Sequence, residues 1–304
     1  MWGLVFIAPL LLPEYPAALL SVGRYLAFGL LALPLALADL RNLRMLRRAD
    51  WLEALKLAAV GNLLYYLLLA SAIQRAGAPV PTMIIGTLPV VIAVTSNFRD
   101  AHRDGKLPWR RLAPSLALIA SGIACVNKVE IDALRVQGGS GSDLGRYAIG
   151  TLLTIGAVAC WTWYPLRNAD WLRAHPGRSP RSWATAQGVA TLPLAVVGYA
   201  VVWAMLPASY AMPFGPRPAF FIAMMVAVGL FASWLGTLCW NEASQRLPTS
   251  LAGQLIVFET LAALAYAFVL RGAWPAPLTL VGVALLVLGV AWALRARPEV
   301  RSTS

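Results

Sequence analysis

The chain has 304 residues, 59% of them hydrophobic and 12% charged, with a mean hydropathy of +0.68. A soluble domain carries about twice that charged fraction, so a water-soluble fold is excluded and lipid is the main solvent. The net charge of +12 does not point to nucleic acid, because the basic residues sit in short loops between apolar runs instead of along one solvated face.

A helix needs about 20 apolar residues, rising about 1.5 Å each, to cross about 30 Å of hydrocarbon. Ten runs qualify as candidate spans: 1–12, 17–38, 52–73, 77–98, 112–127, 145–166, 183–206, 219–241, 249–270 and 276–294. The first reaches only about 18 Å. Its Trp2-Gly3 reads as the middle of a span, so further residues are expected upstream. It has neither a basic n-region nor a cleavage site, so no cleavable signal peptide is expected.

In the second run Arg24 lies about a third of the way in. The expected role is structural, with the side chain reaching outward toward Glu14; binding a substrate carboxylate is the alternative. The third run is centred on "GNLLYY", where Asn62 and Tyr66 are four residues apart on one face and Tyr65 is three from Asn62. In the fourth, Pro89 is the expected helix break, with Gly86 and Thr87 beside the freed carbonyls. The sixth offers Trp161, Trp163 and Tyr164, of which the latter two also suit an interfacial belt.

In the eighth run Ser233, Trp234, Thr237 and Asn241 follow helical spacing. Glu259 sits near the centre of the ninth, where an ionised carboxylate is costly. It is expected either to face a cavity and take up a proton or a cationic group, or to stay protonated and bond a neighbouring helix. Gly282 and Gly289 in the tenth suit close helix packing. Cys125, Cys160 and Cys239 lie in apolar runs and read as small hydrophobes, and His102 and His175 stand alone in basic loops, so neither a metal nor a cofactor is expected.

The segments 39–50, 99–111 and 167–181, with the C-terminal tail, Lys56 and Arg246, hold 18 of the 25 basic residues. By the positive-inside rule that side is cytoplasmic and both termini are inside. The corner Ala72-Ile73-Gln74-Arg75 returns 171 residues later as Ala243-Ser244-Gln245-Arg246, each time between the third and fourth helix of a set of five. Because five is odd, Arg75 is expected outside and Arg246 inside, an inverted-topology repeat. The expected organisation is a first five-helix repeat over 1–127, a periplasmic Gly/Ser-rich linker over 128–144, and a second repeat over 145–304 ending in a short basic cytoplasmic tail.

Several stretches resemble the EamA-type ten-helix members of the drug/metabolite transporter superfamily. They are the opening hairpin with Trp2-Gly3 and Arg24-Tyr25, "TLPVVIAV" (87–94), "GAVACWTWYPLRN" (156–168) and "LIVFETLAALAYAFVLRGAWP" (255–275). Two positions depart from the family pattern: Thr260 stands where a proline often follows the Glu, and Arg271-Gly272 where Gly-Glu often ends the helix. The aromatic-rich pattern is most similar to bacterial aromatic amino acid exporters of the YddG type.

The resemblance implies an all-α, multi-pass protein of the bacterial inner membrane. It would be a secondary transporter exporting amino acids, aromatic ones favoured, or related metabolites by alternating access. Asn62, Tyr65, Tyr66, Thr87, Trp161, Tyr164, Ser233, Trp234, Thr237 and Glu259 are the candidate substrate-binding residues, because aromatic walls with a few polar tips suit an aromatic zwitterion or an organic cation. The alternative is a proton-coupled multidrug or organic-cation exporter of the same fold using Glu259. An intramembrane enzyme is disfavoured, since there is no second mid-span acid, no intramembrane His and no nucleophile motif. Walker and GxGxxG loops are also absent. The expected partners are a small-molecule substrate and the lipid bilayer.

Overall fold

The computed structural model describes residues 1–99, 109–136, 141–246, 256–272 and 274–295, and no strand occurs among them. His102, the central part of the basic loop 99–111, the first residues of the ninth candidate span and the C-terminal tail lie outside the described residues.

The helices follow the ten apolar runs. α1 is Leu4–Leu11, α2 Ala17–Ala38 and α3 Arg48–Ala76. α4 comes in two pieces, Pro79–Ile85 and Leu88–Arg99. α5 is Trp109–Val136, α6 Gly141–Ala174, α7 Pro180–Met205 and α8 Pro218–Arg246. α9 is Ile256–Arg271 and α10 Pro277–Arg295. Five of these helices (α2, α3, α6, α7 and α8) are long and apolar enough to cross a membrane on length and composition.

Two boundaries differ from the sequence reading. Much of the stretch read as linker, 128–144, is helical, because α5 continues to Val136 and α6 begins at Gly141. α6 also runs through the basic stretch read as loop, as far as Ala174. Asn168 and Trp171 in that last part turn inward to buried partners, so the helical geometry is held by packing there.

Polarity is distributed as a lipid solvent demands. Asn168, Gln187, Thr191 and Asn241 are fully buried, whereas Leu37, Val197 and Val269 are largely exposed. α2 packs along α7, α3 along α6 and α5 along α10. In the last pair a Cβ on Gly122 would lie 2.6 Å from the Gly282 carbonyl oxygen, so only glycine permits this approach. Cys160 is buried and Cys125 half-buried, but Cys239 is exposed, so it does not pack as a core hydrophobe.

Three local departures from α geometry shape the interior. Residues Ala58–Leu64 of α3 and Val228–Leu235 of α8 are π-helical, a winding that is rare and concentrated at functional sites. Side chains from elsewhere in the chain bond the loosened backbone: Ser21 of α2 donates to Leu63 O at 3.0 Å, and Trp2 Nε1, just before α1, to Ala232 O at 2.9 Å. α4 breaks at Gly86-Thr87, two residues before Pro89, and Thr87 Oγ1 donates back to Ile84 O at 2.7 Å. Pro89 lacks an N–H and therefore sits without cost in the first turn of the second piece.

Candidate substrate-binding site

α1, α2, α3, α6, α8 and α9 surround a narrow central cavity of about 20 Å³. Its aromatic side is built around Trp161, whose ring meets Trp2 at 5.1 Å, Tyr65 at 5.5 Å, Tyr164 at 5.4 Å and Trp240 at 5.7 Å. Glycines let these rings come close to the wound backbone. A Cβ on Gly61 would lie 2.2 Å from Tyr164 Cδ2, and one on Gly236 2.2 Å from Trp2 Nε1.

The polar side is carried by Arg24, Asn62, Ser233, Thr237 and Glu259. Arg24 is only 4% exposed. Its Nε donates to Ser233 Oγ at 2.9 Å, and its guanidinium lies 4.5 Å from the Tyr66 ring centre and 4.8 Å from that of Tyr25. Its Nη1 is buried with no hydrogen-bond partner. The expected reach toward Glu14 does not occur: Glu14 pairs with Arg217, and Arg24 turns inward instead. Glu259 lines the same cavity and feels the Arg24 charge, but no ion pair within 4 Å joins them among the described residues.

Of the residues singled out by sequence, Asn62, Tyr65, Trp161, Tyr164, Ser233, Thr237 and Glu259 come together here. Tyr66 lies just behind the wall, with its hydroxyl donating to Val5 O at 3.1 Å and its face against Arg24. Thr87 is spent on the α4 break. Trp234 points toward α7, its Nε1 3.4 Å from Thr185 Oγ1.

Sequence reasoning missed a buried polar cluster on one side of the cavity. Tyr164 donates to Gln187 Oε1 at 2.8 Å, and Gln187 Nε2 donates to Asn168 Oδ1 at 3.1 Å. Asn168 Oδ1 also accepts from Trp183 Nε1 at 2.8 Å, while its Nδ2 donates to Asn241 Oδ1 at 2.9 Å. Gln187 and Thr191, four apart in the otherwise apolar α7, are the signal that could have found it.

Both ends of the molecule are tied shut. At the end holding the basic loops, Trp171 and Trp183 stack at 3.5 Å, Trp171 Nε1 donates to Asp50 Oδ1 at 2.9 Å, and Arg167 pairs with Glu53. Asp170 pairs with Arg99 there. At the opposite end Tyr15 is fully buried, donates to Phe214 O at 2.9 Å and accepts from the Arg217 amide at 2.8 Å, beside the Glu14–Arg217 pair.

Among the described residues, long apolar helices with a buried polar centre define a multi-pass membrane protein. Within that class, the chain belongs to the EamA-like transporter family, which residues 1–99 match directly. It is 55% identical over 302 residues to the inner membrane protein YtfF of Escherichia coli (strain K12), covering 98% of this chain and 93% of that protein. A crystal structure of a protein with 19% sequence identity superposes with a TM-score of 0.64 over 97% of this chain and 95% of that one, a likeness of fold alone.

Proposed function

We propose that the protein is a secondary active transporter of the bacterial inner membrane that exports amino acids, aromatic ones favoured, or related small metabolites by alternating access. The observation that carries this reading is the aromatic cavity closed at both ends by contacts between the first five helices and the last five. A cavity that opens by releasing one set of contacts at a time is what alternating access requires. The cavity is narrow while both ends are tied, and its walls suit an aromatic side chain.

The reading includes two inverted five-helix repeats, with both termini and the basic loops in the cytoplasm. In its support, the two π-helical segments lie about 171 residues apart, at Ala58–Leu64 and Val228–Leu235. Each also stands near a glycine pressed against an aromatic ring of the other half, Gly61 on Tyr164 and Gly236 on Trp2.

The test is uptake of labelled aromatic and aliphatic amino acids into proteoliposomes, with and without a pH gradient. Gradient-stimulated accumulation of tryptophan is expected; its absence for every amino acid overturns the reading. A proton-coupled exporter of organic cations is favoured only by Glu259. If Glu259 couples to protons, Glu259→Gln loses the response to the gradient, and an unchanged response removes that role.

A further inference from the structure

We propose that Arg24 and Ser233 form a carboxylate subsite in the central cavity, so that the ligand is a zwitterionic amino acid and not a bare organic cation. The proposal rests on the transport reading above and assigns the polar end of its substrate.

Arg24 is a cation in the interior of a membrane protein, more than nine-tenths buried, in an environment where an uncompensated charge is expensive. Its protein partners account for only part of the guanidinium. Ser233 takes the Nε hydrogen at 2.9 Å, and the Tyr25 and Tyr66 rings offer their faces. Nη1 is left buried without an acceptor, which forfeits its full hydration. Glu259 lines the same cavity but makes no ion pair within 4 Å with the guanidinium among the described residues.

A ligand carboxylate placed at Nη1 supplies the missing acceptor through a charge-assisted hydrogen bond. Ser233 accepts from Arg24, and among the described residues nothing accepts its own hydroxyl hydrogen, which can therefore go to the same carboxylate. The guanidinium is pre-set for this. Tyr66, whose hydroxyl is tied to Val5 O at 3.1 Å, and Tyr25 hold it from the sides, so little ordering remains to be done on binding. Glu259, which lines the same cavity, offers a carboxyl oxygen to a ligand ammonium, and the rings around Trp161 take the side chain. An organic cation without a carboxylate meets Arg24 as a like charge.

The test is equilibrium binding of labelled L-tryptophan to the purified full chain, competed with tryptamine, which lacks the carboxylate, and indole-3-propionate, which lacks the ammonium. Wild type is expected to bind tryptophan and to prefer it over tryptamine. Arg24→Gln should weaken tryptophan and indole-3-propionate by roughly 10–100-fold, the equivalent of a lost charge-assisted bond, and leave tryptamine unweakened. Ser233→Ala should weaken tryptophan several-fold in the same selective way.

Arg24→Gln that retains tryptophan affinity overturns the proposal. So does one that loses tryptamine equally, because that marks a structural arginine. A wild type that binds no indole carboxylate overturns it too. Tryptophan that binds in this carboxylate-dependent manner but never accumulates in vesicles sinks the transport reading while the subsite stands.

Discussion

Gln74 and Gln245, 171 residues apart, make the same contact at the ends of α3 and α8. Gln74 Nε2 donates to Tyr15 O at 2.8 Å, in the loop between α1 and α2. Gln245 Nε2 donates to Arg178 O at 3.1 Å, in the loop between α6 and α7. Gln74 ties α3 to the turn joining α1 and α2, and Gln245 ties α8 to the turn joining α6 and α7.

The inverted-repeat reading places the neighbouring arginines on opposite sides of the membrane. In a background lacking Cys125, Cys160 and Cys239, Arg75→Cys should react with an impermeant maleimide added to spheroplasts. Arg246→Cys should react only after permeabilisation. Labelling of both from the same side would refute the inversion.

The Glu53–Arg167 pair should be asymmetric in mutation. The Glu53 side chain is 11% exposed, the Arg167 side chain 45%. Among the described residues, Arg167→Gln leaves the buried Glu53 carboxylate with only Lys56, 3.8 Å away, for compensation. Removing the arginine is expected to lower stability by about 1–3 kcal/mol, more than Glu53→Gln does, because the unsatisfied buried partner is the larger loss. Thermal unfolding of the two variants in the same detergent decides it, and equal shifts contradict this account.

The Glu14–Arg217 pair gives the opposite end a pH response. The Arg217 hydrogen bond holds the Glu14 carboxyl below its ordinary value of 4.5. A group with a depressed value stabilises the tied state above the ordinary value, and that contribution is lost as pH falls through the lower one. The pair is exposed and screened by solvent, so the effect is small. A cysteine reporter in the cavity should become more accessible from that side as pH falls below the ordinary carboxyl value of 4.5 and through the lower one, and Glu14→Gln should show the raised accessibility already at neutral pH. A pH profile identical in wild type and Glu14→Gln would sink the idea.

Gly61 tests the contact between α3 and α6. The added Cβ of Gly61→Ala would stand 2.2 Å from Tyr164, a ring pinned by its bond to Gln187. Overpacking of this kind costs about 1–3 kcal/mol. Shortening the opposing side chain, in Gly61→Ala with Tyr164→Val, is expected to recover part of the loss in melting temperature. No change from Gly61→Ala alone would show that the helices are free to separate.

Trp161 holds the aromatic wall together, so Trp161→Ala should cost about 3–5 kcal/mol of stability or the equivalent in aromatic-substrate affinity. Trp161→Phe should keep most of it, since edge contacts between rings are worth about 0.5–1.5 kcal/mol each. Uptake of tryptophan against alanine separates the two effects; equal loss of both substrates would assign Trp161 to the scaffold alone.

Much of the site was legible because polar and aromatic residues are conspicuous in a lipid-solvated chain. Asn62, Tyr65, Trp161, Ser233 and Glu259 stood out for that reason and share one cavity. Tyr66 and Trp234 looked equivalent to their neighbours on a regular helical wheel. Tyr66 follows the π-helical winding at Ala58–Leu64 and Trp234 lies within the one at Val228–Leu235, so spacing counted at 3.6 residues per turn points to a different face. Thr87 does not line this cavity for a related reason: the chain breaks at Gly86-Thr87, and the hydroxyl closes that break on Ile84 O.

Apolar run lengths and basic loops determined by themselves that this is a multi-pass helical protein, because the cost of burying unpaired backbone and charge in hydrocarbon leaves few alternatives. The partner of Arg24 was decided only by tertiary structure. Glu14 is ten residues away in the chain and Ser233 is 209, yet the guanidinium bonds Ser233 and Glu14 takes Arg217. Sequence distance bounds what a side chain can reach, but the packing of α8 against α2 sets which way it turns.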